Sequence, residues 1–172
     1  MKKRHLRLIK ESSETFLLTL VVFLFLVTFV IQGYKVFGSC MEPNLITGER
    51  LLGNKFVYRF ERVHRGDIIV FKFPPDPQRI FIKRVIALPG ESVEIKHGRV
   101  YVNDRAIDEH AYVKNIPHDD FPRRKIPAGS AFVLGDNRDN SNDSRAWGNL
   151  PIANIQARAW LRYWPLSRMQ VF

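Results

Sequence analysis

The chain has 172 residues, one Cys, and 27 Lys+Arg against 17 Asp+Glu, a net charge of +10 at pH 7. That length holds one ordinary domain, or a smaller domain with an anchor, and a single Cys excludes an internal disulfide framework and any multi-cysteine zinc or iron–sulfur centre. With 45% hydrophobic residues the chain is too apolar for a disordered one, and its basic surplus points to an anionic partner, nucleic acid or anionic lipid.

The first fourteen residues, MKKRHLRLIKESSE, carry Lys2, Lys3, Arg4, Arg7 and Lys10. Residues 15–31, TFLLTLVVFLFLVTFVI, carry no charge and are apolar all round, unlike a surface helix with one wet face. At 1.5 Å per residue the run spans about 26 Å, close to the roughly 30 Å hydrocarbon core of a bilayer. The sequence therefore predicts a basic cytoplasmic segment at 1–14, a transmembrane anchor at 15–32 and an extracytoplasmic domain at 33–172, oriented by the positive-inside rule. Lys and Arg are favourable beside lipid head groups, so membrane lipid, and no nucleic acid, is the expected anionic partner. A cleaved secretory signal needs a shorter apolar run and a small-x-small site, and QGYKVFG follows instead. A lipidated Cys40 is a further reading, because Ser39-Cys40 resembles the end of a lipoprotein signal. Phe37 and Gly38 fit it poorly, and Lys35 separates the apolar run from the Cys.

After residue 48, short runs rich in Val, Ile, Phe and Tyr alternate with turn signals. Strands are expected at 50–58, 67–73, 80–88, 92–96, 99–102, 131–134 and 157–164. Pro74-Pro75-Asp76-Pro77 and Pro89-Gly90 punctuate them, and His97-Gly98 marks the turn of a hairpin over 92–102. A mainly antiparallel β-domain of about 120 residues follows. The polar stretch 103–127 reads as an irregular insertion or flap over the sheet.

Four blocks carry candidate chemistry. Gly38-Ser39-Cys40-Met41-Glu42-Pro43 lies just beyond the apolar run. Pro43 restrains its own φ and the residue before it, and Gly38 lets backbone come close to a bound chain. Arg65-Gly66-Asp67-Ile68-Ile69-Val70-Phe71 reads as a turn entering a strand. In the third block, Ile80 to Gly90, alternation puts Lys83 on one face with Phe81, Val85 and Ala87, and Arg84 on the other with Ile82 and Ile86. A lysine among apolar side chains pays a desolvation cost for its charge, and a neutral amine can abstract a proton near neutral pH; an edge lysine that snorkels to water is the other reading. The fourth block, Gly135-Asp136-Asn137-Arg138-Asp139-Asn140-Ser141-Asn142-Asp143-Ser144-Arg145, is dense in short polar side chains that bond to nearby backbone and hold a loop in one shape. Asp143 and Arg145 are candidates to pair and brace it. No metal site is expected, because the block has no His and misses the spacing of a calcium loop.

In this order, with the apolar run ahead of them, the blocks resemble bacterial type I signal peptidase, a family that uses a Ser–Lys dyad. The resemblance runs from the anchor to beyond Gly148. It implies a β-rich, largely antiparallel peptidase domain on a single N-terminal transmembrane helix in the bacterial cytoplasmic (inner) membrane. It also implies an endopeptidase that cuts signal peptides from secreted preproteins after small-x-small motifs, without a cofactor. By the resemblance Lys83 is the general base, Ser141 helps orient it, and Asp143 and Arg145 form a structural ion pair.

One departure matters. The family's nucleophile is the Ser before Met, and here that position is Cys40. Ser39 is one residue too early, and a one-residue slip in an extended chain turns the side chain the opposite way. Some members carry a Ser two positions before the nucleophile to complete the oxyanion hole; this chain has Gly38, so a backbone N–H is expected to serve. A thiol in a site shaped for a hydroxyl is expected to weaken cleavage. The alternative reading is a catalytically impaired, membrane-tethered protein that binds signal peptides.

Overall fold

The computed structural model describes residues 2–25, 30–115 and 120–172. Parts of the expected anchor (26–29) and of the expected flap (116–119) lie outside the described residues. One helix leads the chain, α1 (Lys2–Phe25). Twelve strands follow among the described residues: β1 (Ile31–Lys35), β2 (Arg50–Asn54), β3 (Ile68–Phe73), β4 (Asp76–Ala87), β5 (Ser92–Lys96), β6 (Arg99–Val102), β7 (Arg105–Ala106), β8 (Phe121–Lys125), β9 (Ser130–Leu134), β10 (Leu150–Pro151), β11 (Ile155–Trp164) and β12 (Gln170–Val171). A single-turn helix, α2 (Ser144–Trp147), precedes β10.

The strands form two antiparallel sheets. The larger runs β1-β2-β11-β3-β4-β9-β10, with β12 paired to β11, and the smaller runs β7-β6-β5-β8. The central strand β3 is buried on both faces apart from Lys72, which is why its sequence is continuously apolar rather than alternating. Apolar side chains gather in three clusters. Ile86, Ala87, Phe132 and Leu134 pack with Val93, Ile95, Val100 and Phe121 and join the two sheets. Ile69, Phe71, Val85 and Val133 form a second cluster, with Phe81 and Trp147 against it. Val36, Met41, Leu45, Leu51 and Ile68 form the third, against which Cys40 and Ile82 pack.

The mainly antiparallel β-fold follows the sequence reading, with local corrections. The run expected to be strand through residue 58 stops at Asn54, whose Oδ1 accepts from the N–H groups of Phe56 and Val57 and turns the chain. The hairpin at 92–102 forms as expected, with His97 and Gly98 both at positive φ. Part of the stretch read as irregular is strand: β7 and β8 flank the small sheet, and Pro122 is tolerated because β8 is an edge. On β4, Ala87 does not share a face with Lys83. A register shift between Val85 and Ala87 breaks the alternation, and Ala87 packs with Ile86.

The end of the expected anchor is placed differently. Among the described residues no helix is long and apolar enough to cross a membrane. The described part of α1 runs to Phe25, and residues 26–29 of the expected anchor lie outside the described residues. Ile31 and Gln32, expected inside the anchor, are strand and pair with Asn54 and Gly53 of β2. From Phe16 to Phe25 the large apolar side chains are mostly exposed.

Candidate active site

The segment after β1 is fixed from below. Val36, Met41 and Leu45 are buried in the third cluster, and the backbone between them turns twice, Glu42 N–H donating to the Ser39 carbonyl at 3.1 Å and Leu45 N–H to that of Met41 at 2.9 Å. Gly38, at φ +84°, supplies the conformation that enters the first turn. Cys40 is left half-buried at the sheet surface.

Strand β4 brings Lys83 to it. The pairing of β4 with β3 places Lys83 opposite Ile69, and only 3% of the residue is exposed. Its Nζ donates to Cys40 Sγ at 2.9 Å and to the Ile82 carbonyl at 3.1 Å, and lies 5.2 Å from the centre of the Phe81 ring. Cys40 S–H points to the same Ile82 carbonyl at 3.8 Å. Among the described residues no carboxylate pairs with Lys83, so an ammonium there meets only a sulfur, a carbonyl and a ring face. A buried charge with so little compensation is costly.

The loop between β9 and α2 closes the site from the other side. Asp143 is fully buried and holds Arg145 in a two-point ion pair, Nε to Oδ1 at 2.9 Å and Nη2 to Oδ2 at 3.0 Å. Asp143 also accepts the Gly135 N–H, and Arg145 donates to the Arg138 carbonyl at 2.7 Å. The expected brace therefore ties both ends of the loop. Ser141 arrives beside Cys40, but its Oγ is buried without a hydrogen-bond partner among the described residues, so the expected contact with Lys83 is not made. Gly135 is what lets the loop close: a Cβ there would lie 2.3 Å from Ser141 Oγ and 2.5 Å from the Cys40 carbonyl oxygen.

Several residues were given no role in the sequence reading. Arg84, on the opposite face of β4 from Lys83, makes a two-point ion pair with the buried Asp136 at 2.8 and 2.7 Å and stacks on Tyr112 at 4.3 Å. Asn44 Nδ2 donates both to Asp136 and to the Tyr112 carbonyl. Arg138 reaches Glu109 in a further two-point pair. These contacts fasten part of the insertion to the loop and to the segment carrying Cys40. The only sequence signal for them was the density of charge in the Gly135–Arg145 block; their partners lie far along the chain. Burial raises the Tyr112 phenol above its ordinary range, with Glu109 adding to the effect.

Cys40 and Lys83 lie in a groove of about 810 Å³. Tyr34, Leu51, Val70 and Ile82 give it apolar walls, and Asn140, Asn142 and Gln156 add polar groups. Burial raises the Tyr34 phenol as well.

A thiol held 2.9 Å from a buried lysine, in a groove along a β-sheet, is the arrangement of a nucleophile–lysine dyad hydrolase. The sequence model of the family described as "Signal peptidase, peptidase S26" matches residues 9–164. The chain is 40% identical to a signal peptidase I of Leptolyngbya laminosa, covering 92% of this chain and 81% of that protein. It is 41% identical to a probable signal peptidase I-1 of Synechocystis, covering 93% and 85%. A protein named inactive signal peptidase IA, from Staphylococcus aureus strain COL, is 34% identical, covering 90% and 91%. Among solved structures, a signal peptidase I from Enterococcus faecalis V583 matches 57% of this chain and 97% of its own, with 30% identity and a TM-score of 0.49. This chain belongs to the signal peptidase I family of peptidases, whose substrates are preproteins bearing signal peptides.

Proposed function

We propose that this protein is a membrane-bound endopeptidase that removes signal peptides from secreted preproteins after small-x-small motifs, with Cys40 as nucleophile and Lys83 as general base. The 2.9 Å approach of Lys83 Nζ to Cys40 Sγ carries the reading. Neutral Lys83 takes the thiol proton as sulfur attacks the scissile carbonyl. The resulting ammonium gives that proton to the leaving amine of the mature protein. Water then cleaves the thioester, with Lys83 again accepting a proton.

Substrate docks as an added strand. Strand β4 pairs with β3 from Asp76 to Arg84, with a register shift, but with β9 only from Arg84 onward, so among the described residues no strand pairs with the other side of its backbone at 80–82, beside Cys40. The apolar walls from Leu51, Val70 and Ile82 suit small apolar side chains on either side of one that points away. The uncharged run at 15–31 and exposed Trp160, Trp164, Leu166 and Met169 support attachment to lipid, with the domain outside the cytoplasmic membrane.

A second reading has its own support. The similarity to the protein named inactive signal peptidase IA, together with Cys in place of the family's Ser, favours a tethered signal-peptide binder without turnover. Cleavage of a purified preprotein in detergent separates the two. The peptidase reading predicts slow cleavage by the chain as it stands, faster cleavage by Cys40→Ser and none by Lys83→Ala. Binding of the preprotein without cleavage by either the parent or Cys40→Ser would select the second.

A further inference from the structure

We infer that Asn137 is a positioning residue for the oxyanion hole: its side-chain amide sets the Ser39–Cys40 peptide plane so that the Cys40 N–H faces the developing oxyanion. The inference rests on the peptidase reading above and names a part of that site.

Three contacts carry it. Asn137 Nδ2 donates to the Ser39 carbonyl at 3.1 Å, its backbone N–H donates to the Cys40 carbonyl at 3.0 Å, and Asn140 Nδ2 donates to Ser39 Oγ at 2.8 Å. Only the nitrogen end of an amide can face a carbonyl, which fixes the orientation of the Asn137 side chain. The Ser39–Cys40 peptide is not among the cis bonds, and in a trans peptide the carbonyl and the following N–H point in opposite directions. Pulling the Ser39 carbonyl toward the loop therefore turns the Cys40 N–H away from it. Among the described residues nothing accepts from that N–H, and both Ser39 and Cys40 line the groove.

The Ser39 carbonyl accepts a second bond, from Glu42 N–H at 3.1 Å. That bond lies within the same turn and shapes it. Asn137 belongs to the Gly135–Arg145 loop, which the buried Asp143–Arg145 pair braces, so the Asn137 amide ties the Ser39 carbonyl to that loop. A carbonyl accepting two hydrogen bonds also makes its own peptide N–H a stronger donor. Position 38 is Gly, so no hydroxyl from that position shares the task.

The test compares the full chain with Asn137→Asp and Asn137→Leu, which keep the size of the side chain and lose the donor. It measures kcat and KM on a preprotein, the rate at which iodoacetamide alkylates Cys40, and the melting temperature. Alkylation needs the Lys83–thiol pair but develops no oxyanion. Loss of an oxyanion-hole donor costs on the order of a hundredfold or more in kcat, and loss of its positioning contact is expected to cost about tenfold, with KM, alkylation and melting temperature little changed. Unchanged kcat, or alkylation falling in step with kcat, overturns the inference while the peptidase reading stands. No cleavage by the parent or by its Cys40→Ser form overturns the peptidase reading, and the inference with it.

Discussion

At the scale of single residues the site reduces to an amine beside a sulfur, with no counter-charge among the described residues. Lys83 is 3% exposed and its nearest polar neighbours are Cys40 Sγ and the Ile82 carbonyl. A dyad uses such an amine as its base, where a catalytic triad uses histidine instead. Sulfur is larger than oxygen, and the family's site is shaped for a hydroxyl. The gain expected from Cys40→Ser follows from that mismatch. Ser141 offers a sharper test of the site. Its buried hydroxyl has no partner among the described residues, and a buried unsatisfied hydroxyl costs about 1–3 kcal/mol. Ser141→Ala is therefore expected to leave the melting temperature level or raise it, while cleavage of a preprotein falls severalfold through loss of the hydroxyl beside the Cys40 segment. Unchanged cleavage would remove Ser141 from the site.

At the scale of elements, β4 does two jobs with adjacent residues. One face delivers Lys83 to the groove, and the next residue, Arg84, locks the strand to the loop through Asp136, which is fully buried at its side chain. Breaking a buried pair from one side costs about 3–5 kcal/mol. Arg84→Met is accordingly expected to lower the urea midpoint by that stability and to reduce cleavage by displacing the loop; an unchanged midpoint would show that Asn44 and solvent satisfy Asp136 without it. Much of this strand was legible beforehand, because alternation alone put Lys83 beside Phe81 and Val85. The shift that diverts Ala87 was not, since a bulge depends on how β9 pairs and leaves no local mark. Strand β1 was hidden for a different reason. Ile31 continues an apolar run that suits a helix, and only pairing with β2 makes it a strand. The Asp143–Arg145 pair was readable because its partners are two residues apart. Arg84–Asp136 and Arg138–Glu109 were not, because they join positions 52 and 29 residues apart and one sequence gives no measure of such distances.

At the scale of the whole molecule, buried phenols tie the sheets to pH. Tyr34, Tyr58 and Tyr112 are all held above the ordinary value of 10.0, chiefly by burial; for Tyr58 the hydrogen bond it donates to Asp67 adds to this. The unfolded chain then releases these protons first, so the stability they contribute is intact below pH 10 and is lost as pH rises above it. Urea titrations are expected to show a level midpoint from pH 8 to about pH 10 and a steep fall beyond. Tyr58→Phe and Tyr112→Phe should flatten that fall, and an equally steep fall in both variants would assign it to other groups.

The central claim is a covalent one, that Cys40 carries the signal peptide as a thioester formed with the help of Lys83. Acid-quenched mixtures of the chain and a preprotein, read by intact-protein mass spectrometry, test it most directly. The account predicts a species heavier than the chain by the signal peptide less one water, mapped to Cys40, removed by neutral hydroxylamine and absent from Lys83→Ala. Cleavage of the preprotein with no such adduct on Cys40, or an adduct that persists in Lys83→Ala, would contradict it.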